Sequence, residues 1–151
     1  MKRVLASMLS MAALLLAPGI SYATQSVVSG ECGSGSHTAE GAFGEDLSKR
    51  QSRFYCDAAA IISENGQTLV QFSQKESHHN PYLGYAGKLS NDGNTMNVER
   101  IFFTPQDSAI VSEGMCKFFF KEKTLTGIMC GAKLDETGRR TTAIVTFDAK
   151  R

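Results

Sequence analysis

From Arg53 onward, apolar and β-branched runs alternate with short turn clusters, the pattern of an antiparallel sheet. The runs are Phe54–Ile62, Thr68–Gln74, Leu83–Ser90, Thr95–Phe103, Lys117–Phe120, Leu125–Met129 and a last strand through Thr142–Phe147. Period-two alternation supports strands over helices. Met96, Val98, Arg100 and Phe102 share one face and Asn97 and Glu99 the other, while Ala143, Val145 and Phe147 alternate with Thr142, Ile144 and Thr146. Phe118 and Phe120 face opposite to Lys117, with Phe119 on the Lys117 side. Asn65-Gly66 and Asp92-Gly93 supply the positive backbone angles of tight hairpin turns, and Lys121–Thr124 and Asp135–Gly138 turn the last two hairpins. Pro81 and Pro105 sit in longer connections, where no ladder hydrogen bond is lost. Seven strands after residue 53, with an eighth near Val27, predict a small up-and-down antiparallel β-barrel, since closure removes exposed edges; a β-sandwich is the alternative.

Ahead of the sheet the chain changes character twice. Lys2 and Arg3 precede an apolar stretch from Val4 to Ala17, Pro18-Gly19 follows, and Ser21-Tyr22-Ala23 places small residues at the −3 and −1 positions of a cleavage site. Residues 1–23 are expected to be a removable export signal, too short to span a membrane. Residues 24–51 form a glycine- and serine-rich arm, expected to be loop with at most a short strand at Ser26-Val27-Val28 and one helical turn near Glu45–Arg50. Residues 52–151 hold the β domain. Of the 151 residues, losing the first 23 leaves 128, and losing Lys2 and Arg3 takes the formal net charge from +1 to −1. That size suits one domain with one core, and the near-neutral charge leaves no footprint for nucleic acid.

Cys32, Cys56, Cys116 and Cys130 all follow the signal, and an even number in an exported chain predicts two disulfides. Cys116 and Cys130 flank a hairpin in which strict pairing of Phe120 with Leu125 leaves them one place out of register. A one-residue bulge, or a turn with an odd residue count, would bring them face to face. The favoured pairs are therefore Cys116–Cys130 and Cys32–Cys56. Glu31 before Cys32 is not the small residue a lipid-anchored cysteine needs, so the product is expected to be unanchored, in a periplasm or secreted.

Catalytic constellations are missing. His78 and His79 are adjacent and point to opposite sides of an extended chain, and His37 is distant, so no metal site is expected. A Cys32–His37 pair lacks a free thiolate, Cys32-Gly33-Ser34-Gly35-Ser36 lacks the nucleophile-elbow spacing, and Glu99 and Glu113 are not matched by a cleft. Neither enzyme nor cofactor is expected. The segment around residues 78–90 carries two tyrosines, a proline and a cation: His78, His79, Tyr82, Tyr85, Lys88 and Ser90 are the candidate partner-binding residues, because tyrosine and cations favour interfaces. Ile101 with Phe103 forms a second apolar face that a homodimer could bury.

At Phe54-Tyr55-Cys56-Asp57, followed by Gly66-Gln67-Thr68-Leu69-Val70-Gln71-Phe72, the chain resembles the MliC and PliC type of lysozyme inhibitors. The resemblance implies a small exported barrel that places a loop in the cleft of a basic-surfaced c-type lysozyme. Residues 78–90 would be that loop, with Lys88 pairing a cleft carboxylate and Tyr82 and Tyr85 filling sugar subsites. The family's Ser-Gly-x-x-Tyr loop is not found at its place, so no inhibitory residue is transferred. Two other classes compete: a calycin-like carrier of a small apolar ligand inside the barrel, and an envelope structural or interaction protein.

Overall fold

A computed structural model describes residues 23–74 and 82–150. The strands are β1 (Thr24–Cys32), β2 (His37–Ala42), β3 (Gln51–Arg53), β4 (Ala58–Glu64), β5 (Gln67–Ser73), β6 (Tyr82–Leu89), β7 (Thr95–Phe102), β8 (Ser108–Ile110), β9 (Glu113–Lys121), β10 (Thr124–Glu136) and β11 (Arg139–Ala149). Eight of them, β1, β4, β5, β6, β7, β9, β10 and β11, pair antiparallel with their neighbours into a closed barrel, the architecture expected. Closure comes from the far end of β11, where Gly30 lies opposite Ala149 and Cys32 opposite Phe147.

The first expectation to change is the arm. Residues 24–32 are a full wall strand, and β2 continues along the same edge of β11, with His37 opposite Ile144. The splice between them is held by Ser36, which is fully buried. Its hydroxyl donates to the Thr146 carbonyl (3.1 Å) and accepts from the Thr146 N–H (3.0 Å), while the Gly33 N–H donates to the same carbonyl (2.7 Å). Only the short strand around Val27 and Val28 is legible in composition, because the other residues of β1 are polar or small and Gly30 must stay small. A Cβ there would run into the Phe147 ring and the Asp148 carbonyl. The helical turn near residues 45–50 is present as a 3₁₀ turn, Leu47–Lys49, capped by the Asp46 carboxylate.

Turn chemistry follows the sequence at Asn65-Gly66 and Asp135–Gly138, whereas at Asp92-Gly93 only the glycine has a positive φ (73°) and the connection is longer than two residues. Asn65 (φ 51°) with Gly66 (φ 77°) and Thr137 (φ 45°) with Gly138 (φ 73°) are two-residue hairpin turns with both centres in the left-handed region. In the β9–β10 hairpin the register shifts between Leu125 and Gly127, leaving Thr126 as the extra residue, its hydroxyl donating to the Phe119 carbonyl at 3.1 Å. This bulge sets Cys130 directly opposite Cys116, and the two are disulfide-bonded with Cα atoms 4.0 Å apart. Cys32–Cys56 is the second disulfide, clamping the end of β1 to the segment entering β4.

A second bulge overturns part of the expected alternation. β7 carries Glu99 as an extra residue between Val98, opposite Gly87, and Arg100, opposite Ala86. The phase therefore slips, and Ile101 rather than Phe102 points inward, fully buried. Ile101 cannot serve a dimer face. Gly87 is required here because a Cβ would strike the Asn97 carbonyl.

The interior is filled by side chains. Phe72 meets Tyr85 edge-on with centroids 6.0 Å apart and lies 5.9 Å from Phe147, with Val70, Leu83 and Met96 packed beside them. Apolar residues inside the wall are the reverse of a barrel that spans a bilayer. The Tyr85 hydroxyl is buried with no hydrogen-bond partner among the described residues, and burial raises its pKa. An unpaired buried hydroxyl costs about 1–3 kcal/mol. Tyr85→Phe is expected to stabilise the protein by about 1 kcal/mol, seen as a higher thermal midpoint; a loss of stability would mean the hydroxyl has a partner. Gly87→Ala is expected to destabilise by several-fold more than a surface alanine change, measured by urea unfolding.

Candidate functional site

Of the six residues singled out by composition, the four that are described do not converge. His78 and His79 lie outside the described residues. Tyr82 to Leu89 is strand β6, not a loop. Tyr82 and Lys88 are therefore six residues apart along an extended chain, roughly 20 Å. Tyr82 lies on the outer face, its ring covering Gly84 beside Phe102, and burial pushes its hydroxyl pKa up. Tyr85 faces inward and cannot touch a partner, because Leu83 and Tyr85 share the buried parity of β6. Lys88 is exposed at the opposite end of the strand, 3.6 Å from Glu99. Ser90 belongs to the β6–β7 turn, its hydroxyl donating to Asp92 (2.6 Å) and accepting from the Thr95 N–H (3.1 Å). No three His, Cys, Asp or Glu side chains gather to hold a metal among the described residues.

The Ser90 hydroxyl, then the Asn94 N–H, hold the Asp92 carboxyl below its ordinary range. A depressed folded-state pKa stabilises above the unfolded pKa, and that contribution is lost as pH falls through the folded value. Ser90→Ala is expected to move the Asp92 titration, followed by carboxyl NMR shifts, back toward the ordinary range. An unmoved titration would assign the shift to the backbone alone.

What the sequence did not single out lies on the outer wall of β9, β10 and β11. Cys116 and Cys130 point inward, so their neighbours Met115 and Met129 point outward, 57% and 49% exposed. Phe119, 40% exposed, shares that face, with the Lys117 ammonium 5.4 Å from its ring centroid. Between these side chains stand Gly127, opposite Phe119 and Asp148, and Gly131, opposite Met115 and Ile144. The missing side chain at Gly127 leaves a dimple of about 260 Å³, bounded by Phe119, Met129, Thr146 and Asp148. The signal in the sequence that marks this face is the inward parity of the two disulfide-bonded cysteines, which sets Met115 and Met129 outward.

A second concavity opens at the end of the barrel where β10, β11, β2 and β3 flare away from β8. It is a cleft of about 690 Å³. Thr38, Glu40, Thr141 and Glu136 come from the flared sheet, and Phe103, Asp107 and Ser108 face them. Two rim cations are already paired: Arg139 with Glu40 (2.8 Å) and Arg50 with Glu45 (3.1 Å). Arg140 also donates to the Glu45 carbonyl.

Compared with family models, curated proteins and solved structures, the chain finds no match.

Proposed function

We propose that this is an exported binding protein that recognises another protein, and that its partner is a c-type lysozyme, which it inhibits. The observation that carries the reading is the division of apolar groups between inside and outside. The lumen is packed with Phe72, Tyr85 and Phe147, whereas Phe119 and Met129 stand exposed around the Gly127 dimple and Met115 stands exposed further along the same wall. Exposed methionine and aromatic groups around a concavity are the material of an interface hot spot, and Asp148 at its rim complements a basic partner. Two disulfides support an oxidising compartment, a periplasm or the exterior. The carrier reading has less support, because packed rings occupy the lumen where its ligand would sit.

The contact face differs from the one the tyrosine composition suggests. The barrel presents a wall, with no loop formed by residues 82–89. In a cell-wall lysis assay with human and avian c-type lysozymes, the disulfide-intact protein is expected to inhibit stoichiometrically. Phe119→Ala combined with Met129→Glu is expected to weaken inhibition at least about tenfold, the range of a hot-spot loss, with the fold intact by circular dichroism. No inhibition at large molar excess overturns the lysozyme reading. Inhibition that survives the double substitution overturns the wall assignment.

A further inference from the structure

Among the described residues, the barrel wall is unzipped between β8 and β10. β8 and β9 lie one after the other along β7, as β1 and β2 do along β11. The Phe103 N–H donates to the Asp107 carbonyl (2.9 Å) and the Val111 N–H to the Glu99 carbonyl (3.0 Å). Antiparallel pairing alternates, so Asp107, Ala109 and Val111 turn their backbone bonds toward β7, and Ser108, Ile110 and Ser112 turn theirs the other way, toward β10. Ser112 finds its partner there, its N–H donating to the Lys133 carbonyl at 2.9 Å. Above that bond the two strands part. β9 pairs with β10 no higher than Glu113 opposite Lys133, and no strand joins the free side of β8 among the described residues.

The gap above Ser112 is the wedge-shaped cleft already described. Both Ser108 and Ala109 border it although their side chains take opposite sides of the strand, so β8 presents its edge there. A strand edge is a row of unmet donors and acceptors that an added strand satisfies. The side-chain chemistry specifies the occupant further. Glu40 and Glu45 are engaged by arginines, while Asp107 and Glu136 border the same cleft from opposite sides with no side-chain ion pair among the described residues.

We propose that an extended segment of a partner polypeptide enters this wedge and adds as a strand to the free edge of β8, with a lysine or arginine side chain lodged between Asp107 and Glu136. Main-chain bonds to Ser108 and Ile110 hold the segment, and the two carboxylates choose its sequence. The site is separate from the Met115–Phe119–Met129 wall and does not depend on what binds there.

Ile110 makes the test clean. The residue is 68% exposed and its N–H points away from β7, so proline there removes the outward donor without breaking a ladder bond. Random nine-residue peptides displayed on phage would be selected on the full, disulfide-intact protein, and an enriched peptide synthesised. Enriched peptides are expected to carry a central lysine or arginine. The synthetic peptide should bind wild type and Ile110→Ala within about twofold, lose at least tenfold on Ile110→Pro, and lose a similar factor on Asp107→Asn with Glu136→Gln. Hydrogen exchange of wild type should show the Ser108 and Ile110 amides protected by the peptide, a result that needs no variant to fold. Failure to enrich any peptide, equal binding by a folded Ile110→Pro, or protection on β9 and β10 around Met129 would each overturn the proposal.

Discussion

One edge of β11 carries two strands in succession, and the barrel exists because it does. Its last residues hold β1 and so close the ring; its first residues hold β2, which belongs to a hairpin flaring away from the ring. The two arrangements meet at Ser36, whose hydroxyl supplies bonds to Thr146 that a continuous β-strand would make with its backbone. A buried backbone group without a partner costs as much as a lost hydrogen bond, so the splice is tolerable only because a small hydroxyl residue sits there. Cys32–Cys56 pins the same point from the other side by tying the end of β1 to the entry of β4. Without this junction β1 would be a free edge strand and the phenylalanine-rich lumen would be open along its length.

The filled lumen has consequences for everything outside it. Eight strands leave an interior wide enough for side chains, and Phe72, Tyr85 and Phe147 take it up. Recognition then falls to the outer wall and the barrel ends, where shape must come from departures from the regular sheet. Both concavities arise in that way. The dimple on the wall exists because Gly127 follows the Thr126 bulge, and the end cleft exists because β8 and β10 separate above Ser112. The same bulge that aligns Cys116 with Cys130 inside therefore shapes the surface outside. A single inserted residue serves both faces of one wall.

Much of this architecture was legible in the residues, and the failures share a cause. Turn dipeptides such as Asn65-Gly66 encode their geometry locally, and the misfit between Phe120–Leu125 pairing and the cysteines pointed to the bulge that is found. Composition showed a short strand near Val27 but not its extension through Cys32, because that extension depends on Phe147, more than one hundred positions away, pressing on Gly30. Nor could it reveal the slip at Glu99, because a bulge reverses side-chain parity without changing residue type; Ile101 and Phe102 exchange faces for that reason. The tyrosine cluster misled for the plainest reason. Residues close in sequence and similar in chemistry need not act together: a strand sends Tyr85 into the core and carries Lys88 to the far end of the barrel from Tyr82.

That lesson bears on where function can reside in a closed barrel. Zipped wall strands meet their backbone needs around the ring, which is why closure protects against aggregation. An opening must be introduced by interrupting a strand, and here two interrupted strands have different outcomes. The β1–β2 splice is sealed by Ser36, Gly33 and a disulfide, and its bonds are satisfied. The β8–β9 splice is held to β7 through Val111 and Glu99 but to β10 only at Ser112, through the Lys133 carbonyl, and beyond that point it gapes. If both interruptions were only tolerated defects, similar sealing would be expected at each. The difference marks the β8 edge as a place, among the described residues, where the wall of this barrel keeps its backbone available.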